Sequence, residues 1–169
     1  MTAVITDAID ELYRTHGHLV YRRARELLRS TTDATDAVQD IFLSIVHRPR
    51  QLDGVQRITA WLYRATTHYC LNKLRDRRGR LRLLGALRPV SSVPPRSELF
   101  AQVRSLLDRL PEPLAEVAVY HHLDGMTYDE IAELLGCSRR QVGYYLGRLH
   151  ALVAVDAKPG LAVPEEQES

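Results

Sequence analysis

The amino-acid sequence predicts an all-α protein with two small helical domains joined by a basic flexible linker, the second being a helix-turn-helix (winged-helix-like) domain. Apolar residues recur at three- and four-residue spacing through most of the 169 residues, as in amphipathic helices. Gly, Pro and Ser cluster mid-chain in "GRLRLLGALRPVSSVPPRS", where "VPP" is incompatible with a helix interior. We therefore expect a first domain at 1–78, a linker at 79–97, a second domain at 98–155 and a disordered tail at 156–169.

Three helices are expected in the first domain. The first follows an apolar stripe between residues 5 and 28, and Gly17 is a position where it can kink or split. The second begins within "STTDATD", where Asp33 is the expected N-cap. The apolar face that this second helix buries consists of Val38, Ile41, Phe42 and Ile45. After the loop "HRPRQLDG", a third helix is expected from about Thr59 to about Arg78.

Four helical segments are expected in the second domain. "SELFAQVRSLLDRL" has leucines at helical spacing, and "PEPLAEVAVYHHL" is expected to be helical after Pro113. "TYDE" and "SRRQ" are capping boxes of the T-x-x-E and S-x-x-Q kinds, and each opens a further helix. Gly136 and Cys137 leave a tight turn between these last two helices. Two short capped helices joined by a turn that contains Gly predict a helix-turn-helix.

The last predicted helix has two different faces. Its core stripe is expected to contain Val142, Leu146, Leu149 and Val153, packed on Ile131, Leu134 and Leu135. The other face and the N-terminal end carry side chains that bond base edges and phosphates. The predicted DNA-binding residues are Ser138, Arg139, Arg140, Gln141, Tyr144 and Arg148. The alternative is that the arginines are solvated and the tyrosines pack on a neighbour.

The charge is concentrated in one part of the chain. Residues 70–96 hold eight basic residues and one acidic residue, although the whole chain has a formal charge of +2. A block of this kind indicates contact with a polyanion, or alternatively a solvated linker.

Several function classes find no support in the sequence. Two cysteines far apart indicate neither a disulfide framework nor a metal site, and they favour a reducing, cytoplasmic compartment. The chain shows no signal peptide and no apolar run of membrane-spanning length, so no membrane insertion is expected. Seven histidines form no ligand pattern, and no phosphate loop or nucleophile motif is found. We expect no enzyme activity, no catalytic residue, no metal and no cofactor.

Three stretches together resemble the extracytoplasmic-function (ECF) sigma factors of bacterial RNA polymerase, within the sigma-70 family. "DATDAVQDIFLSIV" is similar to the helix by which these factors bind the polymerase. "ITAWLYRATTHYCLNKLRDRRGR" is similar to the promoter-melting helix, and "DGMTYDEIAELLGCSRRQVGYYLGRLHALV" is similar to the domain that binds the −35 element. The resemblance covers roughly residues 8–153.

The resemblance implies a role for each of these stretches. The polymerase-binding residues would be Asp36, Gln39, Asp40 and Leu43. The residues that bind and melt the −10 element would be Trp61, Arg64, His68, Asn72, Lys73, Arg75, Arg77 and Arg78. For Trp61, packing in the core is an equally good interpretation. The implied partners are core RNA polymerase, promoter DNA and an anti-sigma factor, the last because the family usually has one.

Some positions depart from the family pattern. Asn72 stands where the family usually has Asp, and Gly143 and Tyr145 stand where it commonly has basic residues. Two alternatives to a sigma factor therefore remain open. One is a helix-turn-helix transcriptional regulator that works without polymerase, and the other is a sigma-like protein that does not itself initiate transcription.

Overall fold

The computed structural model describes residues 2–52, 54–55, 57–83, 106–107 and 109–156, and every regular element among them is helical. The elements are α1 (Thr2–Leu28), α2 (Thr31–His47), a 3-10 helix (Pro49–Leu52), α3 (Ile58–Leu83), α4 (Glu112–Ala118), a π-helix (Val119–Leu123), α5 (Tyr128–Leu135) and α6 (Arg139–Asp156). No helix in these ranges has both the length and the apolar character to cross a membrane. The predicted tail, like most of the predicted linker, lies outside the described residues.

The chain divides into two compact units after Glu116. In the first unit, α1, α2 and α3 pack on one another around a single apolar core. The predicted inward face of α2 is confirmed. The buried cluster consists of Val20, Val38, Ile41, Phe42, Ile45 and Leu62.

Two expectations about the first two helices were wrong. Gly17 does not split α1, which is one continuous helix from Thr2 to Leu28. A Cβ at this buried glycine would lie 3.7 Å from the ring of Tyr13. Ser30, and not Asp33, is the N-cap of α2. Ser30 has extended backbone angles, and its hydroxyl accepts a hydrogen bond from the Asp33 amide at 3.2 Å. The cap is therefore placed three residues before Asp33, as in other serine-capped helices.

The boundaries of two later helices also differ from the expectation. α3 continues to Leu83, beyond the predicted end near Arg78 and into the predicted linker. Gly79 lies within this helix. A glycine there costs about 1 kcal/mol of helix stability relative to alanine, and the neighbouring Arg and Leu residues have high helix propensity. α4 begins at Glu112, and Pro113 lies in its first turn, where a missing amide proton breaks no helical hydrogen bond.

The helix-turn-helix of the second unit is confirmed. Thr127 and Glu130 form a complete capping box at α5, and Gly136 ends that helix in the left-handed region at φ 66°. Ser138 caps α6, because its hydroxyl accepts a hydrogen bond from the Gln141 amide at 3.1 Å. Both cysteines of the chain are free thiols.

The core stripe of α6 is confirmed except at one residue. Val142, Leu146 and Leu149 are buried, as is Ile131 of α5, but Val153 is 36% exposed. α5 has eight residues and spans only about 12 Å, so it covers the first part of α6 and leaves the end uncovered.

Candidate functional site

The outer face of α2 carries the residues predicted to bind polymerase. Gln39 and Asp40 are exposed, Asp36 is half-exposed, and Leu43 exposes 52% of its surface. Val46 lies one turn beyond Leu43 and is 50% exposed, a feature that was not predicted from the sequence. This face therefore combines carboxylates, an amide and uncovered apolar side chains.

The carboxylates of this face already contact α3. The Tyr69 hydroxyl donates a hydrogen bond to Asp40 Oδ2 at 2.5 Å, and Lys73 Nζ lies 3.6 Å from Asp36 Oδ2 and 3.9 Å from Asp33 Oδ1. Burial, followed by the hydrogen bond to Asp40 and the nearby carboxylate charges, raises the pKa of Tyr69 well above its usual range. The tyrosine hydroxyl therefore remains a donor to Asp40 at physiological pH.

The residues predicted to bind the −10 element fall on two faces of α3. At about 100° per residue, one face carries five of them: Trp61, Arg64, His68, Asn72 and Arg75. We call these five residues the melting stripe. Lys73 and Arg77 lie about 140° and about 180° away around the helix. The side chain of Arg78 lies outside the described residues.

Within the melting stripe, neighbouring side chains orient one another. Asn72 bonds His68 Nε2 through its amide nitrogen at 2.9 Å and accepts a hydrogen bond from Arg75 at 2.8 Å through its amide oxygen. Trp61 is half-buried and packs against the core cluster, so the core interpretation holds in part, and its contact with DNA stays a prediction. The stripe therefore offers one aromatic surface, Trp61, and four polar side chains.

His68 also meets two carboxylates that were not expected near it. Its Nδ1 lies 2.9 Å from Glu112 Oε1 and 3.7 Å from Glu116 Oε1. The donor atoms of the three side chains lie within 4.8 Å of one another, a grouping that the spacing of the histidines in the sequence does not show. Burial raises the pKa of Glu116, opposed by the charges of Arg64 and His68. The contact joins residues more than forty positions apart, and no local pattern predicts it.

The predicted DNA-binding face of α6 is open to solvent. Arg140 and Arg148 are exposed, and Tyr144 exposes 56% of its surface. Tyr145 is half-buried. Arg139 makes an exposed ion pair with Asp129 at 3.3 Å, and such pairs contribute little to stability.

A cluster of rings in the second unit was missed by sequence reasoning. His121 of the π-helix contacts the rings of His122 and Tyr128, and His122 contacts His150 of α6 with ring centroids 5.9 Å apart. His121 Nδ1 is bonded to the Met126 carbonyl at 2.9 Å. Burial, followed by the charges of His121 and His150, lowers the pKa of His122.

Comparisons with known proteins identify the family of this chain. The family models of Sigma-70 region 2 and Sigma-70, region 4 match residues 12–80 and 100–149. The chain is 33% identical over 164 residues to the RNA polymerase sigma factor CnrH of Cupriavidus metallidurans, covering 85% of this chain and 83% of that protein. It is 31% identical over 156 residues to the ECF RNA polymerase sigma factor SigE of Mycolicibacterium smegmatis.

The chain belongs to the ECF sigma factors of the sigma-70 family. The match to SigE covers 83% of this chain and 57% of SigE, so the chain spans little more than half the length of that relative. Among solved structures, the sigma factor RpoE of Bartonella quintana, in complex with the anti-sigma factor NepR, matches with a TM-score of 0.50. The identity is 18%, and the match covers 87% of this chain and 97% of that one. At this identity the likeness shows the fold alone.

Proposed function

We propose that this sigma factor binds core RNA polymerase in the cytoplasm and directs it to promoters, without catalysing a reaction itself. One observation carries the proposal. An acidic and apolar exposed face on α2, an aromatic and polar stripe on α3, and an exposed basic face on the helix-turn-helix occur in a single chain. The three faces suit three different ligands: a protein helix, an unpaired DNA strand and a DNA duplex.

The polymerase contact is assigned to the α2 face. Asp36, Gln39 and Asp40 can bond a basic partner helix, while exposed Leu43 supplies apolar area for the centre of the interface. Val46, one turn beyond Leu43, extends the exposed apolar area of this face.

Promoter opening is assigned to the melting stripe. Bases can stack on an aromatic ring, and nearby cations can contact the phosphate backbone of the DNA. This combination suits a separated single strand. Trp61 is held by the core on one side, so its orientation is set before DNA arrives. The protein would read the −10 element by binding bases that have left the stack along this face.

The −35 contact is assigned to α6. Arg139, Arg140 and Gln141 stand at the N-terminal end of the second helix of the motif, where base edges are commonly contacted. Arg148 is farther along the helix and suits a phosphate. An anti-sigma factor is a further proposed partner, since the sigma factor RpoE matches this fold and was solved in complex with one.

Run-off transcription with purified core polymerase tests the proposal. A promoter-specific transcript is expected only when this chain is added. Binding to polymerase without transcript would favour a sigma-like protein that does not initiate. Binding to DNA without binding to polymerase would favour a regulator of another class.

A further inference from the structure

A histidine and two glutamates of the first unit form a group of the kind that binds metal ions. His68 lies on α3, while Glu112 and Glu116 are four residues apart on α4 and therefore share one face of that helix. One nitrogen of His68 and one oxygen of each glutamate lie within 4.8 Å of one another. We call these three residues the ligand group.

The separations within the ligand group fit a small divalent ion. Zinc binds nitrogen and oxygen ligands at about 2.0–2.2 Å, usually at the corners of a tetrahedron, so its ligand atoms lie roughly 3.3–3.6 Å apart. His68 Nδ1 lies 2.9 Å from Glu112 Oε1 and 3.7 Å from Glu116 Oε1, on either side of that range. Glu112 and His68 are about half-exposed, so small rotations can adjust the distances and water can reach a fourth position.

The buried carboxylate of Glu116 is the member of the group that most needs a cation. Its side chain is only 7% exposed, so water solvates its charge poorly. Its ion pair in the described part of the chain is with His68 at 3.7 Å, which is longer than a hydrogen bond. Burial raises the pKa of Glu116, and the charges of Arg64 and His68 oppose this only in part. A bound metal ion would give the buried carboxylate a partner at bonding distance.

Asn72 positions the other nitrogen of the histidine ring. Its amide nitrogen lies 2.9 Å from His68 Nε2, and its amide oxygen accepts a hydrogen bond from Arg75 at 2.8 Å. In the neutral ring Nε2 is then the acceptor, so Nδ1 carries the proton and donates it to Glu112 Oε1.

An ion that binds His68 Nδ1 takes the place of this proton. The ring then carries its proton on Nε2, and the Asn72 amide turns over so that its oxygen accepts it, as carbonyl groups commonly do beside a metal-bound histidine. Arg75 loses its acceptor in that exchange. Metal binding therefore changes the tautomer of His68, which is a spectroscopic signature.

The types of ligand atom restrict which ion is suitable. One imidazole with two carboxylates suits zinc and other first-row divalent ions, whereas magnesium and calcium prefer oxygen ligands alone. We propose that the ligand group binds a divalent transition-metal ion of the zinc type through His68 Nδ1 and one oxygen each of Glu112 and Glu116. This site is additional to promoter recognition, and it requires neither polymerase nor DNA.

Calorimetric titration of the full chain with zinc chloride tests the proposal, in a buffer with a reductant that does not bind metal. The ligand variants are His68→Gln, Glu112→Gln and Glu116→Gln. Each should lose at least about ten-fold in zinc affinity, since changes even to residues around metal ligands cost about that much. Magnesium chloride should give no binding at the same concentrations.

Three control variants should keep the wild-type zinc affinity. Glu11→Gln and His18→Gln change exposed residues of α1 that match the ligand residues in type. Cys137→Ser removes a partly exposed free thiol, which is a competing zinc ligand elsewhere in the chain. Far-UV circular dichroism checks the fold of every variant. Glu112 is exposed, so Glu112→Gln should fold even if Glu116→Gln does not.

NMR spectra of the imidazole nitrogens provide a second measurement, which a merely structural role of the ligand group would not change. His68 should have its proton on Nδ1 without metal and on Nε2 with zinc. The spectrum of His68→Gln identifies the signals of this residue.

The proposal is overturned if the wild-type chain does not bind zinc, or if the ligand variants bind it as tightly as the wild type. It is also overturned if a control variant loses the binding equally, or if zinc leaves the tautomer of His68 unchanged. These outcomes are independent of the run-off transcription that tests the proposed function, because the titrations contain neither polymerase nor promoter.

Discussion

The α2–α3 pair of the first unit and the recognition helix α6 of the second unit carry the residues expected to bind partners, but the two regions hold these side chains differently. In the first, Asp40 accepts a hydrogen bond from Tyr69, and Asp36 lies 3.6 Å from Lys73. In the second, Arg140, Tyr144 and Arg148 are exposed to solvent. A partner of α2 must therefore replace internal contacts, whereas a partner of α6 displaces mainly water.

This difference affects affinity and specificity in different ways. When a partner replaces an existing hydrogen bond, the net gain in free energy is the difference between two similar interactions. Selectivity then depends on whether the partner fits the face better than α3 does. Exposed cations on α6 attract any DNA through long-range charge, and sequence preference comes from base contacts.

The largest effect is expected from reversing the charges of the α2 face. Asp36→Arg combined with Asp40→Arg should lower the affinity for core polymerase by at least about 100-fold, because like charges across an interface cost several kcal/mol. A competition assay for core polymerase measures this affinity, and far-UV circular dichroism checks that helicity is native.

Asp7→Arg combined with Asp10→Arg is the control for that experiment. Both residues are exposed on α1, and the charge change is the same. If the α2 double variant still competes for core polymerase, the assigned face is wrong. If both double variants fail, net charge and not the α2 face is responsible.

Replacing each of two arginines on α6 should change promoter binding in a different way. Arg140 stands in the first turn, so Arg140→Ala should relax preference at one or two upstream promoter positions by about 1–3 kcal/mol. Arg148 stands farther along the helix, so Arg148→Ala should weaken all promoters about equally. Selection from a promoter library with the holoenzyme separates the two patterns. A change of preference with Arg148→Ala and none with Arg140→Ala would mean that α6 is rotated from its assigned orientation on DNA.

A smaller effect is expected from the hydrogen bond that joins α2 to α3. Tyr69→Phe leaves Asp40 without its internal donor, so polymerase no longer has to replace that bond. We expect about two- to five-fold tighter binding to core polymerase, since an exposed hydrogen bond contributes roughly 0.5–1 kcal/mol. Tyr21→Phe, which changes an exposed tyrosine of α1, is the control. Weaker binding by Tyr69→Phe would show that Tyr69 prepares Asp40 for its partner and does not compete with it.

Local features of this chain could be predicted from its sequence, and contacts between distant residues could not. Apolar spacing predicted the inward faces of α2 and α6, and two capping motifs predicted where α5 and α6 begin. The bond between Tyr69 and Asp40 joins residues 29 positions apart, and it exists only because α2 packs on α3. The pocket beside the turn between α1 and α2 likewise combines Arg29 with Lys73, Arg77 and Arg80 of α3, which no single stretch of sequence brings together.

The smallest effect is expected at His122. It tests whether the second unit also contains a titratable side chain that is held by internal contacts. The folded pKa of His122 is lowered, so the unfolded chain binds more protons near and below pH 6.5. The contribution of His122 to stability is therefore fully present above pH 6.5 and declines as the pH falls through that value toward the folded pKa. We expect His122→Gln to reduce the loss of Tm between about pH 7.5 and pH 5.5.

His18→Gln is the control for that prediction, because His18 is an exposed histidine of the first unit. Proton NMR titration of the full chain gives the pKa of His122 directly, and the value should lie below 6.5. A value at or above 6.5 would mean that His121 and His150 do not constrain it. His122 would then not be held by its neighbours, and the difference between the second unit and the α2–α3 pair would be larger than the structure indicates.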